Sequence, residues 1–508
     1  MSPRLSFRIA ALVTAGLSVV AALEAWTIGL GSGSIAARGA AALAAVTGLW
    51  IGASAFFPGL VVGPLKRLGF GHVWQQLVSR DAAITKGLQE QALVRLAAAM
   101  ILWGAICFAA NVFGNALSPP PVGVDDQGAY LRTAQKVERD EGPLFTLPQF
   151  FMDLRSGQYR EANRHPLFIA VLSLHASEDW GRTAAWWFGI AAFVSGTCMV
   201  WRRFSPLTAG IFAMLLGMNF NLGQYSVMVV CESLLIWLVG WAFFTVLPSP
   251  TASRSLGRRR LRILAASVLL GLAYMTKGTG LVFFGVFILW LAWTCRPRRD
   301  DEIPPEIENN AVISLVEAYP LRQWAIAMIC GLIGFIVVSA PLIERNIRVY
   351  GNPFYNVNSL LLFADDYSEF DYLIRVQATP KEAARDFFKK HGVSDMIDRE
   401  VRGLVWEGFI MLRTLGPQGL DDGRVIFGLP IAICAAIGLW FERRPAKWLL
   451  VWWIAVSWVM FAWYVPIAAG DRFPVPLLMP ILAFSAEGMR RLLMSRMSVN
   501  ETPSQNAI

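Results

Sequence analysis

The stretch ALVRLAAAMILWGAICFAANVFGNALSPPPVGVDDQGAY, residues 92–130, decides the fold class. Its first part, 92–114, is apolar apart from Arg95 and Asn111 and has the length of about 20 residues that crosses a bilayer as a helix. Three consecutive prolines, Pro119 to Pro121, then forbid further helix. Two adjacent acids, Asp125 and Asp126, follow at once, with Tyr130 four residues after Asp126. Paired acids in a loop usually face water or cap a helix. At the edge of a membrane span an ionisable group is instead a functional hypothesis by default.

The rest of the chain repeats the first theme. It has 508 residues, of which 55% are hydrophobic and 16% charged, with a mean hydropathy of +0.48. Soluble domains carry about 25% charged residues, so the composition points to the membrane. Apolar spans are expected at 8–30, 37–62, 92–114, 181–201, 206–228, 230–248, 262–276, 279–295, 323–343, 425–441, 447–467 and 473–489. The expected fold is an all-α polytopic membrane protein of about 12 transmembrane helices.

Charge orients it. The net charge of +9 is concentrated in short turns: Arg202-Arg203, Arg258 to Arg260 with Arg262, Arg298-Arg299, Arg443-Arg444 and Arg490-Arg491. This pattern is the positive-inside signature. Its natural partner is anionic membrane lipid, not nucleic acid. The six cysteines are scattered without a CxxC or zinc spacing, which speaks for buried thiols. The first span is longer than the apolar core of a signal peptide, so it is expected to be retained.

Two segments, 115–165 and 344–424, are too long and polar for turns and fall on the outer side. Long loops on a rigid scaffold commonly carry function. Helical pieces are expected at 127–139 and 147–156, with a short re-entrant or interfacial helix at 166–175, and then at 380–398 and 399–414. The inner insert 296–322 reads as a linker and the tail 495–508 as disordered. The division is then 1–91, two additional N-terminal spans and an inner loop; 92–489, the main membrane domain; and 490–508, an inner tail.

Several polar residues cluster at the outer ends of spans. Glu232 opens the span Cys231-Glu232-Ser233-Leu234, where a helix-start acid is also favoured by the dipole. Lys277 interrupts two apolar stretches at the outer face of a chain in which arginine does most of the basic work, and phosphate binding competes with snorkelling as its role. Arg345 closes a span, Arg164 and His165 precede Pro166, and Arg472 follows Asp471. Guanidinium forks suit phosphate oxygens. Gathered on one side, these groups would make a basic cavity for a lipid phosphate.

The order of these pieces resembles the GT-C superfamily of polytopic glycosyltransferases, and within it the group of protein O-mannosyltransferases and aminoarabinose lipid A transferases. The resemblance rests on Asp125-Asp126, His165-Pro166-Leu167, Glu232-Ser233-Leu234, Met275-Thr276-Lys277-Gly278, Arg345-Asn346 with Gly351-Asn352-Pro353-Phe354, and Arg472-Phe473-Pro474. It covers roughly 92–489. The chain departs from it in having Asp-Asp where Asp-Glu is usual and Phe473 where tyrosine is frequent.

The resemblance implies a polyprenyl-phosphate sugar as donor and a hydroxyl acceptor on a lipid, polysaccharide or protein, with inversion at the anomeric carbon. It implies Asp125 as general base and Asp126 as its supporting acid. Lys277, Arg345, His165, Arg472 and Arg164 would then face the donor phosphate, with Glu232 and Tyr130 lining the site. No cofactor is expected; a divalent metal on Asp125, Asp126 and Glu232 is the unfavoured alternative. The rival readings are a transporter or flippase of lipid-linked sugars and an O-antigen ligase or polymerase. The absence of Asn-x-Ser/Thr from the outer loops points to a bacterial inner membrane, with the site facing outward.

Overall fold

The structure is a computed structural model that describes residues 82–123, 125–138, 142–248, 256–295, 321–417, 423–465, 467 and 470–498. The expected spans 8–30 and 37–62 lie outside these residues, as do nearly all of the insert 296–322 and most of the tail. Most of the described residues are helical, none of them forms a strand, and the chain is an all-α integral membrane protein.

In chain order the helices are α1 (Ala82–Leu117), α2 (Asp126–Gln135), α3 (Pro143–Ser156), α4 (Pro166–Leu172), α5 (Glu178–Arg203), α6 (Pro206–Gly217), α7 (Phe220–Tyr225), α8 (Glu232–Val246), α9 (Leu256–Thr276), α10 (Thr279–Thr294), α11 (Leu321–Tyr350), α12 (Tyr367–Arg375), α13 (Pro380–Lys390), α14 (Val393–Leu415), α15 (Gly423–Phe441), α16 (Ala446–Tyr464) and α17 (Leu478–Ser498). Five stretches are long and apolar enough to cross a membrane: Leu93–Leu117, Glu178–Arg203, Leu321–Tyr350, Arg424–Phe441 and Ala446–Tyr464. Three apolar helices, α6, α8 and α10, are shorter. The count of twelve is therefore not reached among the described residues.

Three boundaries differ from the sequence reading, each for a local reason. The stretch 206–228 is two helices, because Asn219 turns its side chain back to accept from the Leu222 N–H and starts α7. The last span begins at Leu478, behind a 3₁₀ turn (Val475–Leu477) imposed by Pro474 and Pro476. The break in the second large insertion falls at His391-Gly392 rather than at 398–399, since the Gly392 N–H donates to Asp395 and opens α14 there.

Close helix packing rests on small residues, as membrane bundles require. A Cβ on Gly104 of α1 would lie 2.4 Å from the Ala213 carbonyl oxygen of α6, so the two backbones touch. Gly438 and Gly488 join α15 to α17 in the same way. The buried core is centred on α8, with Leu235, Ile236, Val239, Phe243 and Phe244 inaccessible. Apolar side chains such as Leu289, Val337 and Ile426 point outward, as lipid-facing residues do.

Arg203 and Arg444 meet at one end of this bundle, where Arg444 donates to the Arg203 and Pro248 carbonyl oxygens. The ends of α1, α9 and α11 and the starts of α5, α8, α10 and α15 fall at the other, where the loop residues of interest converge.

Candidate functional site

Asp125 and Asp126 take different roles although they are neighbours. Asp125 is the N-cap of α2: its carboxylate accepts from the Gly128 N–H at 3.2 Å and from the Gln127 amide at 3.2 Å. It is exposed. Slight burial opposes its charge, yet the bonds from Gln127, Gly128 and Gly123 hold its carboxyl below the usual range. Asp126, one residue on, turns inward. One carboxylate oxygen accepts from Arg164 and the other from Arg472. Burial works against its charge, and the guanidiniums of Arg472 and then Arg164 overcome that and hold it below the carboxylate range.

Arg472 is the hinge of the site. Besides Asp126 it reaches Glu232, with Nε 2.7 Å and Nη2 2.6 Å from the same oxygen, Oε1. Lys277 Nζ donates to that oxygen too, at 3.0 Å. Glu232 has no exposed surface, and its second oxygen has no partner. Three cations thus meet two carboxylates, leaving one positive charge in excess. Unpaired buried charge is costly, so such a cluster is poised to take up an anion.

Local structure explains each position. Glu232 starts α8, where the helix dipole favours an acid. Lys277 sits in the junction between α9 and α10, where its N–H donates to the Ala273 carbonyl oxygen and its own carbonyl oxygen accepts from the Gly280 N–H. Arg472 stands in the turn before Pro474, ahead of the helix. Lys277 Nζ also lies 5.9 Å from the centre of the Phe473 ring, a cation–π contact.

Tyr130 backs the cluster. Arg164 lies over its ring at 5.3 Å, and its hydroxyl donates to Cys231 Sγ at 3.1 Å. Burial pushes this phenol well above its ordinary value, so it is a neutral donor. His165 is buried beside the Lys277 turn. Its neutral ring donates Nδ1–H to the Tyr274 carbonyl oxygen at 2.6 Å, which leaves Nε2 as an acceptor. Burial, with the charges of Arg345 and Lys277, pushes this imidazole down to about 4 against the bond to Tyr274. A Cβ on Gly278 would meet Asn356 Nδ2 at 2.2 Å and His165 Nε2 at 3.3 Å, so both side chains close directly over this glycine. Arg345 is 3% exposed, donates to the Glu161 carbonyl oxygen and stacks over Tyr350 at 5.5 Å.

The structure brings together Asp126, Arg164, Tyr130, Glu232, Lys277 and Arg472, with His165 and Arg345 alongside. It places Asp125 at the rim. Asn356, Cys231 and Glu161 were not singled out from the sequence. Asn356 and Glu161 carry no periodic signal, being loop residues that act through backbone placement.

No protein-family model matches the chain, and no curated protein does. Among solved structures the chain is similar to ArnT from Cupriavidus metallidurans bound to undecaprenyl phosphate, at 13% identity and a TM-score of 0.44, covering 79% of this chain and 62% of that one. It is similar also to the oligosaccharyltransferase of Archaeoglobus fulgidus in the apo form, at 12% identity and a TM-score of 0.41, covering 82% of this chain and 52% of that one. The chain therefore spans less than two thirds of the length of either.

Proposed function

We propose that this protein is a membrane glycosyltransferase that moves a sugar from a polyprenyl-phosphate donor to a hydroxyl acceptor at the outward-facing end of its helix bundle. The observation that carries this reading is the cluster of Arg164, Lys277 and Arg472 around Asp126 and Glu232, set where apolar helices end. Its chemistry suits the reaction. A phosphodiester-linked sugar carries one negative charge on its phosphate, and the released lipid phosphate carries close to two. Preorganised cations aimed at that developing charge stabilise the leaving group.

Asp126 is the base in this scheme. On donor binding, the phosphate oxygens compete for Arg164 and Arg472, and the Asp126 carboxylate is released towards the acceptor hydroxyl. It takes the proton as the hydroxyl oxygen attacks C1 and the C1–O bond to phosphate breaks, which inverts that carbon. Glu232 keeps Lys277 and Arg472 in register. His165 Nε2, Arg345 and Asn356 line the far wall, and Asp125 fixes the start of α2 so that Asp126 points inward.

The test is transfer from a labelled polyprenyl-phosphate sugar in membranes holding the protein. Transfer by the unaltered protein, lost in Arg472→Ala, supports the reading. Binding of the donor without transfer to any hydroxyl acceptor sinks it.

A further inference from the structure

Asp126 and Glu232 come from α2 and α8, and the spacing between them decides whether one arginine, Arg472, can hold both. The stretch that leads into Glu232, residues 226–231, is not helical, yet Val227, Val229, Val230 and Cys231 are buried. A buried stretch outside a helix must find partners for its backbone elsewhere. This one finds them in side chains of two neighbouring helices.

Gln127 of α2 is the central one. It has no exposed surface, and its Oε1 accepts from the Val229 N–H at 3.0 Å. Its Nε2 donates to Asp125 Oδ2 at 3.2 Å and to the Pro121 carbonyl oxygen at 3.4 Å. One amide therefore joins the proline stretch, the start of α2 and the stretch before α8. One turn on, Tyr130 donates to Cys231 Sγ at 3.1 Å, so a single face of α2 grips that stretch twice. Arg182 of α5 makes a second bridge between the same two stretches, with Nη1 2.8 Å from the Val227 carbonyl oxygen and Nη2 2.9 Å from that of Pro120. Val229 itself is seated against α5, where a Cβ on Gly181 would lie 2.6 Å from its Cγ1.

We propose that Gln127 is a positioning residue, whose amide sets the distance of Asp126 from Glu232 and so lets Arg472 serve both. Asp126 is its chain neighbour on one side of the bond, and Glu232 lies three residues beyond Val229 on the other. The inference rests on the proposed function in taking Asp126 as the base. Gln127 touches no reacting atom and acts through Asp126. Without its amide, or with a shorter side chain, α2 is free to shift along the 226–231 stretch. A reacting group misplaced by about 1 Å costs up to about 100-fold in rate. Lys277 and Arg472 stay tied to Glu232, so the grip on the donor phosphate is kept. The loss therefore falls on kcat and spares the donor KM.

The experiment uses the full chain in proteoliposomes, with thermal unfolding measured for each variant so that loss of folding is set aside. Gln127→Met keeps the side-chain volume and loses the amide; Gln127→Asn keeps the amide and shortens its reach. In both, kcat should fall about 10- to 100-fold, while the KM for a labelled polyprenyl-phosphate sugar changes less than about three-fold. In an Asp126→Asn background neither should cost more than about two-fold further, since a residue acting through Asp126 then has nothing left to position. A merely structural residue would cost the same in both backgrounds. Hydrogen exchange supplies a readout that needs no transfer: the peptide holding Val229 should exchange about ten-fold faster in either variant. Losses that add to that of Asp126→Asn, a loss confined to KM, or Val229 exchange unchanged in both variants overturns the proposal. Faster exchange in a protein that transfers no sugar leaves the tie between α2 and the start of α8 standing and removes the proposed function instead.

Discussion

The two aspartates offer the sharpest test, because one substitution separates a cap from a base. Asparagine caps a helix about as well as aspartate, so Asp125→Asn should keep the bond to the Gly128 N–H and change stability by less than about 0.5 kcal/mol. Asp125→Ala removes the cap and should cost about 1 kcal/mol. Asp126→Asn is a different perturbation. It takes a negative charge from between Arg164 and Arg472 and leaves two guanidiniums facing each other. Hydrogen bonds to charged groups contribute about 1.5–3 kcal/mol each. The Asp126 side chain is 35% exposed, so screening reduces each towards about 1 kcal/mol, or about 2 kcal/mol for the pair. Loss of a positioned base costs a further ~100- to 10,000-fold in rate, which is about 3–5 kcal/mol on the barrier. The assay is transfer of labelled sugar in proteoliposomes at matched protein load, with thermal unfolding of each variant in parallel. Asp126→Asn should lose at least about 100-fold in transfer, and Asp125→Asn less than about five-fold. If Asp125→Asn loses as much as Asp126→Asn while its unfolding temperature is unchanged, the base is Asp125 and the division of roles drawn here is wrong.

Other outcomes follow from the same geometry. Arg472→Lys keeps the charge but cannot span Asp126 and Glu232 together, and should reduce transfer by about 100-fold with little change in expression. Asn219→Ala leaves the buried Gly416 carbonyl oxygen without the amide that binds it at 3.3 Å and the Thr414 carbonyl oxygen with the Asn221 amide alone, and should destabilise by about 1–3 kcal/mol in a thermal-shift measurement. Gly104→Val drives a side chain into the Ala213 backbone and should destabilise by about 1–3 kcal/mol or more by the same measurement. His165 has its folded value depressed to about 4 from 6.5, so the stability it contributes is present above pH 6.5 and is lost as the pH falls through about 4. His165→Asn should therefore lose less stability than the unaltered protein over that interval, and an identical acid limb in both would contradict the buried neutral ring.

Chain chemistry made much of this fold readable in advance. Apolar length, prolines after Leu117 and arginines in short turns each act locally, so most helices stand where the pattern put them. The exceptions lie where a single side chain redirects the backbone, as Asn219 does at α7 and Gly392 at α14.

By itself the sequence determined which residues could do chemistry, because a charge at the end of an apolar span is costly and few positions carry one. It could not determine their partners. Arg472 reaches Asp126 across 346 positions and Glu232 across 240, and such convergence depends on how α2, α8 and the turn before α17 pack, not on any period along the chain. Nor could it tell the two aspartates apart. Adjacent side chains leave a helix start in different directions, and only the packed structure turned Asp126 towards the arginines while Asp125 went to the backbone of its own helix.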